Sequence, residues 1–287
     1  MAPASPPVDG WVPSTLQRER DAFRAKATRR AVITAGLASL AVFAVIALAV
    51  TSSPGWPAFR ETFFNWDKAL SSFPAVLRGL WMNIRVMLVS AVCIAIIGLT
   101  LAVLRTLRGA VFFPLRALAT AYVDLFRGLP LLLLLLVLGL GMPALRLSGL
   151  PTSALFWGGV AITLSYSAYV AEVFRAGIES VHPSQWAAAR SLGLTYRQTL
   201  RRVVLPQAIR SVVPALMNDV VSLQKDSGLV SMVGVTDAIL AAQIETSSDY
   251  NFTPYVVAGV LFLILTIPMA RFTDWLARRQ GQRGVLL

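Results

Sequence analysis

The sequence predicts an all-α membrane protein of six transmembrane helices with both termini in the cytoplasm. Three observations predict it. The 287 residues are 56% apolar and only 14% charged, with a mean hydropathy of +0.67, whereas soluble domains carry about 25% charged residues. The apolar residues gather into runs close to the ~20 residues needed to cross ~30 Å of hydrocarbon, rather than into amphipathic stripes. Lys and Arg, which give a net charge of +12, lie almost wholly between those runs. Bilayer topology explains that placement better than a nucleic-acid partner.

Residues 1–30 are polar. They open with Pro3, Pro6, Pro7 and Pro13 and end in a basic stretch through Arg18, Arg24, Lys26, Arg29 and Arg30, the pattern of a disordered start leading to a short basic helix at a membrane face. Apolar runs follow at about 31–50, 79–104, 118–140, 155–174, 211–235 and 255–272. Ala47, Leu48 and Ala49 resemble a signal-peptidase site, but the first run is longer than the ~7–15 residues of a signal core and reads as a retained helix. The chain thus divides into a basic cytoplasmic segment (1–30), a first transmembrane helix with an external loop (31–75), a core (76–275) containing a long cytoplasmic loop (176–210), and a cytoplasmic tail (276–287).

Charge placement sets the orientation. One side holds the basic N-terminus, Arg105, Arg108 and Arg116, the long loop with Arg175, Arg190, Arg197, Arg201, Arg202 and Arg210, and the tail with Arg271, Arg278, Arg279 and Arg283. The other side holds Arg60, Lys68, Arg78 and Arg146, and the stretch from Thr236 to Pro254 has no Lys or Arg. The arginine-rich side is cytoplasmic. No internal repeat is visible, and six helices are few for a secondary carrier built from inverted repeats, so a path between two chains is expected.

The loop from Arg175 to Arg210 carries the most information. Ser184 can cap a short helix from Gln185 to Leu192, with Gly193 at a left-handed C-cap. Thr195 and Gln198 form a capping-box pattern for a second helix to about Val204, which Pro206 should break. The expectation is two short helices hinged at a glycine. Such a unit cannot bury Trp186, Leu192, Leu194 and Tyr196 within itself, while Ala187, Ala188 and Ala189 allow another surface close. It either seats in a partner's groove or lies on lipid headgroups with its arginines on phosphates.

Chemistry is sparse. The chain has only Lys26, Lys68 and Lys225, none following a glycine, so it cannot form the phosphate-cradling G-x-x-x-x-G-K-S/T loop. With His182 as the sole histidine, H-E-x-x-H is absent, as is G-x-S-x-G, and no enzyme is expected. His182 beside Pro183 reads as shaping a turn. Cys93, the one cysteine, excludes an internal disulfide or a multi-cysteine metal site and reads as a small core residue. Polar groups at membrane depth are the remaining candidates. Asn83, Arg85, Tyr166, Asn218 and Asp219 form the expected translocation-path set. Arg85 alternatively snorkels to the outer headgroups, and Tyr166 and Tyr169 alternatively pack with a hydroxyl partner. Asn218, Asp219, Lys225 and Asp226, with Pro214 and Gly228, predict that the fifth run is broken, Lys225 and Asp226 forming a structural ion pair at the break. Glu172 and Arg175 should pair on one helix face.

The loop from Ala176 to Ile209, AGIESVHPSQWAAARSLGLTYRQTLRRVVLPQAI, resembles the signature of permease subunits of bacterial ATP-binding-cassette (ABC) importers: Glu-Ala-Ala, three residues, Gly, then a stretch ending in Leu-Pro. Ala188, Ala189, Gly193, Leu205 and Pro206 match, and Ala187 replaces the acid. YVDLFRGLPLL (Tyr122 to Leu132), YSAYVAEVFRAGIESV (Tyr166 to Val181) and LPQAIRSVVPALMNDVVSLQKDSGLVSMVG (Leu205 to Gly234) resemble motifs of the polar amino acid subfamily over roughly residues 75–275. Leu129, Leu134 and Gly228 stand where Thr, Gln and Ser are common there.

The resemblance implies a MetI-like permease fold, a multi-pass location in the bacterial inner membrane, and the permease role in an ATP-driven importer of a polar amino acid. It makes Trp186, Ala187, Ala188, Ala189, Arg190, Gly193 and Leu194 the ATPase-coupling set. It implies separate ATP-binding subunits carrying ATP and Mg, a second permease chain of the same or a homologous kind, and an extracellular or periplasmic substrate-binding protein. No cofactor or nucleic acid is expected on this chain. The competing expectations are a non-transporting scaffold or sensor that docks a cytoplasmic partner, and a secondary carrier.

Overall fold

The computed structural model describes residues 14–107 and 109–284. The proline-rich start, Arg108, the Arg283 side chain and the end of the tail lie outside the described residues. The chain divides after Arg60 into two units. In the first, α1 (Thr15–Thr51) begins where the Ser14 hydroxyl accepts from the Gln17 amide. No proline or glycine interrupts Leu16 to Ala35, so the basic stretch and the first apolar run form one helix instead of a separate short helix and a span. At 1.5 Å per residue it is about 55 Å long, well beyond the ~30 Å of hydrocarbon. A short helix, α2 (Trp56–Phe63), follows.

The second unit contains α3 (Trp66–Thr106), α4 (Phe113–Gly128), α5 (Leu131–Leu145), α6 (Ala154–Glu179), α7 (Pro183–Ser191), α8 (Tyr196–Thr199), α9 (Leu205–Asp226), α10 (Ala238–Ser247) and α11 (Thr253–Gly284). Among the described residues, four helices are long and apolar enough to cross a membrane, and up to six spans result if each of two bent helix pairs counts as one. The main core lies where α3, α5, α6 and α9 meet. Met87 and Ile94 of α3, Leu135 of α5, Ile162 of α6 and Leu223 of α9 are buried there with Val230. Helices that have lipid on both sides gain little from hydrophobicity and associate through close packing. Gly79 permits a close approach of backbone to backbone: a Cβ there would stand 2.4 Å from the Asp237 carbonyl carbon just before α10.

Three boundaries differ from the sequence expectation. The run at 118–140 is not one straight crossing, because α4 and α5 meet at 101°. Leu129 is extended (φ −94°, ψ 133°), as the residue before Pro130 prefers. In the fifth run, α9 passes through Pro214, Asn218 and Asp219 without interruption. The bend comes later, after a 3-10 turn (Ser227–Val233) closed by left-handed Gly234 at φ +82°. Pro206 does not end the second loop helix either. A π turn (Leu200–Val204) widens the backbone just before it, the Leu205 amide reaching back to the Leu200 carbonyl, so α8 runs on into α9. The wider turn absorbs the missing proline N–H.

Two side-chain expectations also change. Cys93 is exposed on the outer surface of α3 and is not a core residue. Lys225 and Asp226 form no ion pair among the described residues, since consecutive helical residues face apart. Asp226 instead accepts from the Tyr166 hydroxyl at 2.7 Å.

Candidate functional site: a cytoplasmic helical loop and an acidic cavity

The loop forms from local signals. His182 caps α7, its Nδ1 accepting from the Ser184 amide at 3.2 Å. Pro183 takes the first helical position, where a missing N–H costs nothing, so the helix starts two residues before the expected Gln185. At its end, the Gly193 amide donates to the Arg190 carbonyl and the Leu194 amide to the Ala189 carbonyl, the paired bonds of a Schellman turn. Gly193, at φ +78°, occupies a region closed to most side chains. The Thr195 amide donates to Gln198 Oε1 at 2.9 Å, and the Gln198 amide to Thr195 Oγ1 at 3.4 Å, completing the capping box.

The loop buries more of itself than expected. Trp186 is half-buried, stacked on Tyr196 with ring centroids 5.5 Å apart, and packs against the Val181, Val204 and Ala208 cluster. Ala189 also faces inward, and Leu194 is half-buried. The free face carries Ala187, Ala188, Arg190, Leu192 and Gly193, with Leu192 81% exposed. It is small and nearly flat with one projecting leucine and one arginine, a shape suited to a shallow groove.

Above the loop, Glu172 gathers arginines from three helices. Its carboxylate accepts from Arg105 of α3 at 2.8 Å and from Arg175 Nε on its own helix at 3.0 Å, and Arg127 at the end of α4 lies 3.7 Å away. The expected Glu172–Arg175 pair is therefore one edge of a larger cluster. Arg175 also reaches Glu179, one turn before α7.

Next to this cluster lies a cavity of about 340 Å³, lined by Leu129 and Pro130 at the α4–α5 bend, Tyr166 and Tyr169 of α6, and Asp219, Ser222 and Asp226 of α9. The spacing 219, 222, 226 puts all three on one helix face. One Asp219 carboxylate oxygen is buried with no hydrogen-bond partner, an unpaired acceptor of the kind that costs free energy unless something fills it. Tyr166 and Asp219 also line an adjoining cavity of about 140 Å³ between α3, α6 and α9. Two carboxylates, hydroxyls and an extended Leu-Pro backbone can hold an ammonium group and a polar side chain by hydrogen bonds.

The predicted path residues separate in space. Tyr166 and Asp219 meet in the cavity, whereas Asn218 is exposed on α9 and lines neither cavity. Asn83 is buried on α3, its amide donating to the Ser227 carbonyl and Asp237 Oδ2 and accepting from the Ala238 amide. Arg85 is exposed on α3, its guanidinium 5.5 Å over the Trp81 ring. Sequence reasoning missed Ser222, the Leu129–Pro130 wall and two cationic partners of Glu172, Arg105 and Arg127. The first two were legible in the i, i+3, i+7 spacing and in the X-Pro bond.

Residues 107–282 match the family described as the binding-protein-dependent transport system inner membrane component. The chain belongs to this family. Among its relatives, the probable glutamine ABC transporter permease protein GlnM of Bacillus subtilis is 36% identical over 218 residues, covering 75% of this permease and 97% of GlnM. The arginine transport system permease protein ArtQ of the same organism is 30% identical, covering 71% and 91%, and the glutamate transport system permease protein GluC of Corynebacterium glutamicum is 34% identical, covering 68% and 90%. A crystal structure of an amino acid ABC transporter with histidines aligns at a TM-score of 0.67 and 32% identity, over 73% of this permease and 96% of that chain. The methionine ABC transporter MetNI in an inward-facing form aligns at 0.58 and 24%, over 71% and 95%, and shares the fold.

Proposed function

We propose that this permease lines the translocation path of an ATP-driven importer of polar amino acids in a bacterial inner membrane, crossing it several times. The observation that carries the reading is a single helix, α9, that joins the loop to the cavity. Its cytoplasmic end continues from α8, and its far half presents Asp219, Ser222 and Asp226 to the cavity. The glutamine, arginine and glutamate named for its relatives share an α-ammonium group, which the two carboxylates suit. Separate ATP-binding subunits dock on the α7 face through Ala187, Ala188, Arg190, Gly193 and Leu192, with Trp186, Ala189 and Leu194 supporting that face from within. A second permease chain completes the path, and an external binding protein delivers substrate.

The test is uptake of labelled glutamine, arginine and glutamate by a strain lacking this subunit, complemented with wild type or Asp219→Asn. Uptake of at least one should vanish in the deletion, return with wild type, and fall about tenfold with Asp219→Asn, the loss expected when one charge-assisted hydrogen bond becomes neutral. Uptake unchanged by the deletion sinks the importer reading. Uptake that follows an ion gradient and ignores loss of the ATPase makes the chain a secondary carrier.

A further inference from the structure

Arg85 takes no part in the acidic cavity. It stands twenty residues, or about 30 Å of helix, before Arg105 on α3, the thickness of the hydrocarbon layer, and among the described residues no carboxylate pairs with it. An arginine at that boundary takes an anion or water as its partner. A groove of about 500 Å³ starts at Arg85 and runs along the outer surface between α3 and α6, walled by Val89, Cys93, Ile97, Phe156, Val160 and Leu164. Ser90 and Thr163 add hydroxyls, but Arg85 is the only charged residue lining it.

The dimensions and chemistry select an occupant. From Arg85 to Ile97 is twelve residues, or about 18 Å of helix, close to the ~15 Å of one leaflet's hydrocarbon. A groove with a cation at one end and an apolar trough one leaflet long matches a phospholipid, with its phosphate on the guanidinium and one acyl chain along the trough. A protein helix fits less well, because it would have to supply its own acid. The apolar run of α1, residues 31–50, contains no Asp or Glu. We propose that the α3–α6 groove is a binding site for one phospholipid of the leaflet at the Arg85 end, held by Arg85 and by contact with α6 at Gly159. This site is independent of the amino acid carried.

Gly159 supplies a second handle, since a Cβ there would meet nothing nearer than Ser90 Oγ at 4.0 Å. A larger side chain enters the groove without disturbing the helix contact. Cys93, the only cysteine, lies on the groove wall and reports its occupancy.

The experiment uses the full-length permease in its purified complex. Native mass spectrometry should show one retained phospholipid per permease chain. Arg85→Gln should lower retention about tenfold, the loss of one charged hydrogen-bond partner, and Gly159→Phe should abolish it with an unchanged elution profile. In delipidated wild type, alkylation of Cys93 by N-ethylmaleimide should slow about tenfold on addition of phosphatidylglycerol, if the chain then shields the sulfur in most molecules. Inorganic phosphate, or a phosphate-free glycolipid with the same chains, should protect little. Equal retention in wild type and both variants overturns the proposal. So does protection by inorganic phosphate alone, and so does a crosslink from Cys93 to α1 or to a second permease, which would show the groove covered by protein.

Discussion

Replacing Asn83 by Leu nearly preserves side-chain volume and removes three hydrogen bonds that tie α3 to the turn before α10. Asn83 is 1% exposed and Asp237 is fully buried, so water cannot replace the lost partners. The Ser227 carbonyl, the Ala238 amide and Asp237 Oδ2 lose a bond each, while the Ile239 and Leu240 amides go on donating to the other oxygen, Asp237 Oδ1. At about 2 kcal/mol per orphaned buried group, less about 2 kcal/mol recovered from the added apolar surface, the net cost is roughly 4 kcal/mol. For a unit of this size that corresponds to a fall of about 10 °C in unfolding midpoint. Heating the detergent-solubilised complex and following loss of the monodisperse elution peak measures it. A midpoint within about 3 °C of wild type, together with abolished uptake, would refute the reasoning. It would place Asn83 on the transport path instead of in a brace between α3 and α10.

In the loop, Gly193→Leu should leave membrane insertion intact, because a Cβ at Gly193 meets no neighbouring atom. It should strain the φ +78° turn by about 1–2 kcal/mol and weaken transport-stimulated ATP hydrolysis, and normal stimulation would count against docking there. Glu172→Gln should destabilise the complex by about 2 kcal/mol, between the values for exposed and buried pairs. Arg105→Gln added to it should cost little more, and additive losses in that double-mutant cycle would break the clustered reading. On the external side, Lys68 lies 3.0 Å from Asp249 and holds that carboxyl below the usual aspartate range. Because the folded value is the lower one, this contact stabilises the fold above the ordinary value of about 3.9 and is lost as pH falls through the folded value. Lys68→Gln should therefore flatten the acid limb of a stability–pH profile, and superimposable profiles would show that the contact contributes nothing.

The sequence exposed the spans and the loop because their signals are local. Apolar length marks a helix wherever it packs, and Gly193, Thr195 and Gln198 specify their turn through bonds to residues within five positions. What stayed hidden depends on partners distant in sequence. Asn83 reads as a polar group at membrane depth, and only the fold brings Asp237, 154 positions away, to its amide. Cys93 looked like a core residue because an apolar run does not say which face meets lipid. Glu172 showed one arginine at helical spacing, while Arg105 and Arg127 reach it from two other helices. Leu129–Pro130 carries the X-Pro signal of a break, whereas the continuous leucines after it extend the apolar run.

The continuity of α8 with α9 changes how motion at the loop reaches the cavity. Had Pro206 ended the helix, α7 and α8 would form a hinged pair able to rock without moving α9. Instead the π turn passes the proline, and Gln207 Nε2 donates to the Val203 carbonyl at 3.0 Å, a side-chain bond that spans Pro206. Hinging is left to Gly193, so a displacement of α8 travels along α9, where Asp219 lies fourteen residues, about 21 Å, from Leu205. Pro206→Ala tests the arrangement, since it restores an N–H donor and lets the turn tighten to regular α-helix. Losing the extra residue of the π turn would rotate α9 against α8 by about 100°. The variant should be at least as heat-stable as wild type yet lose uptake. Retained uptake in a variant whose helix has regularised would show that the register between loop and cavity does not matter, and that α9 does not act as the lever.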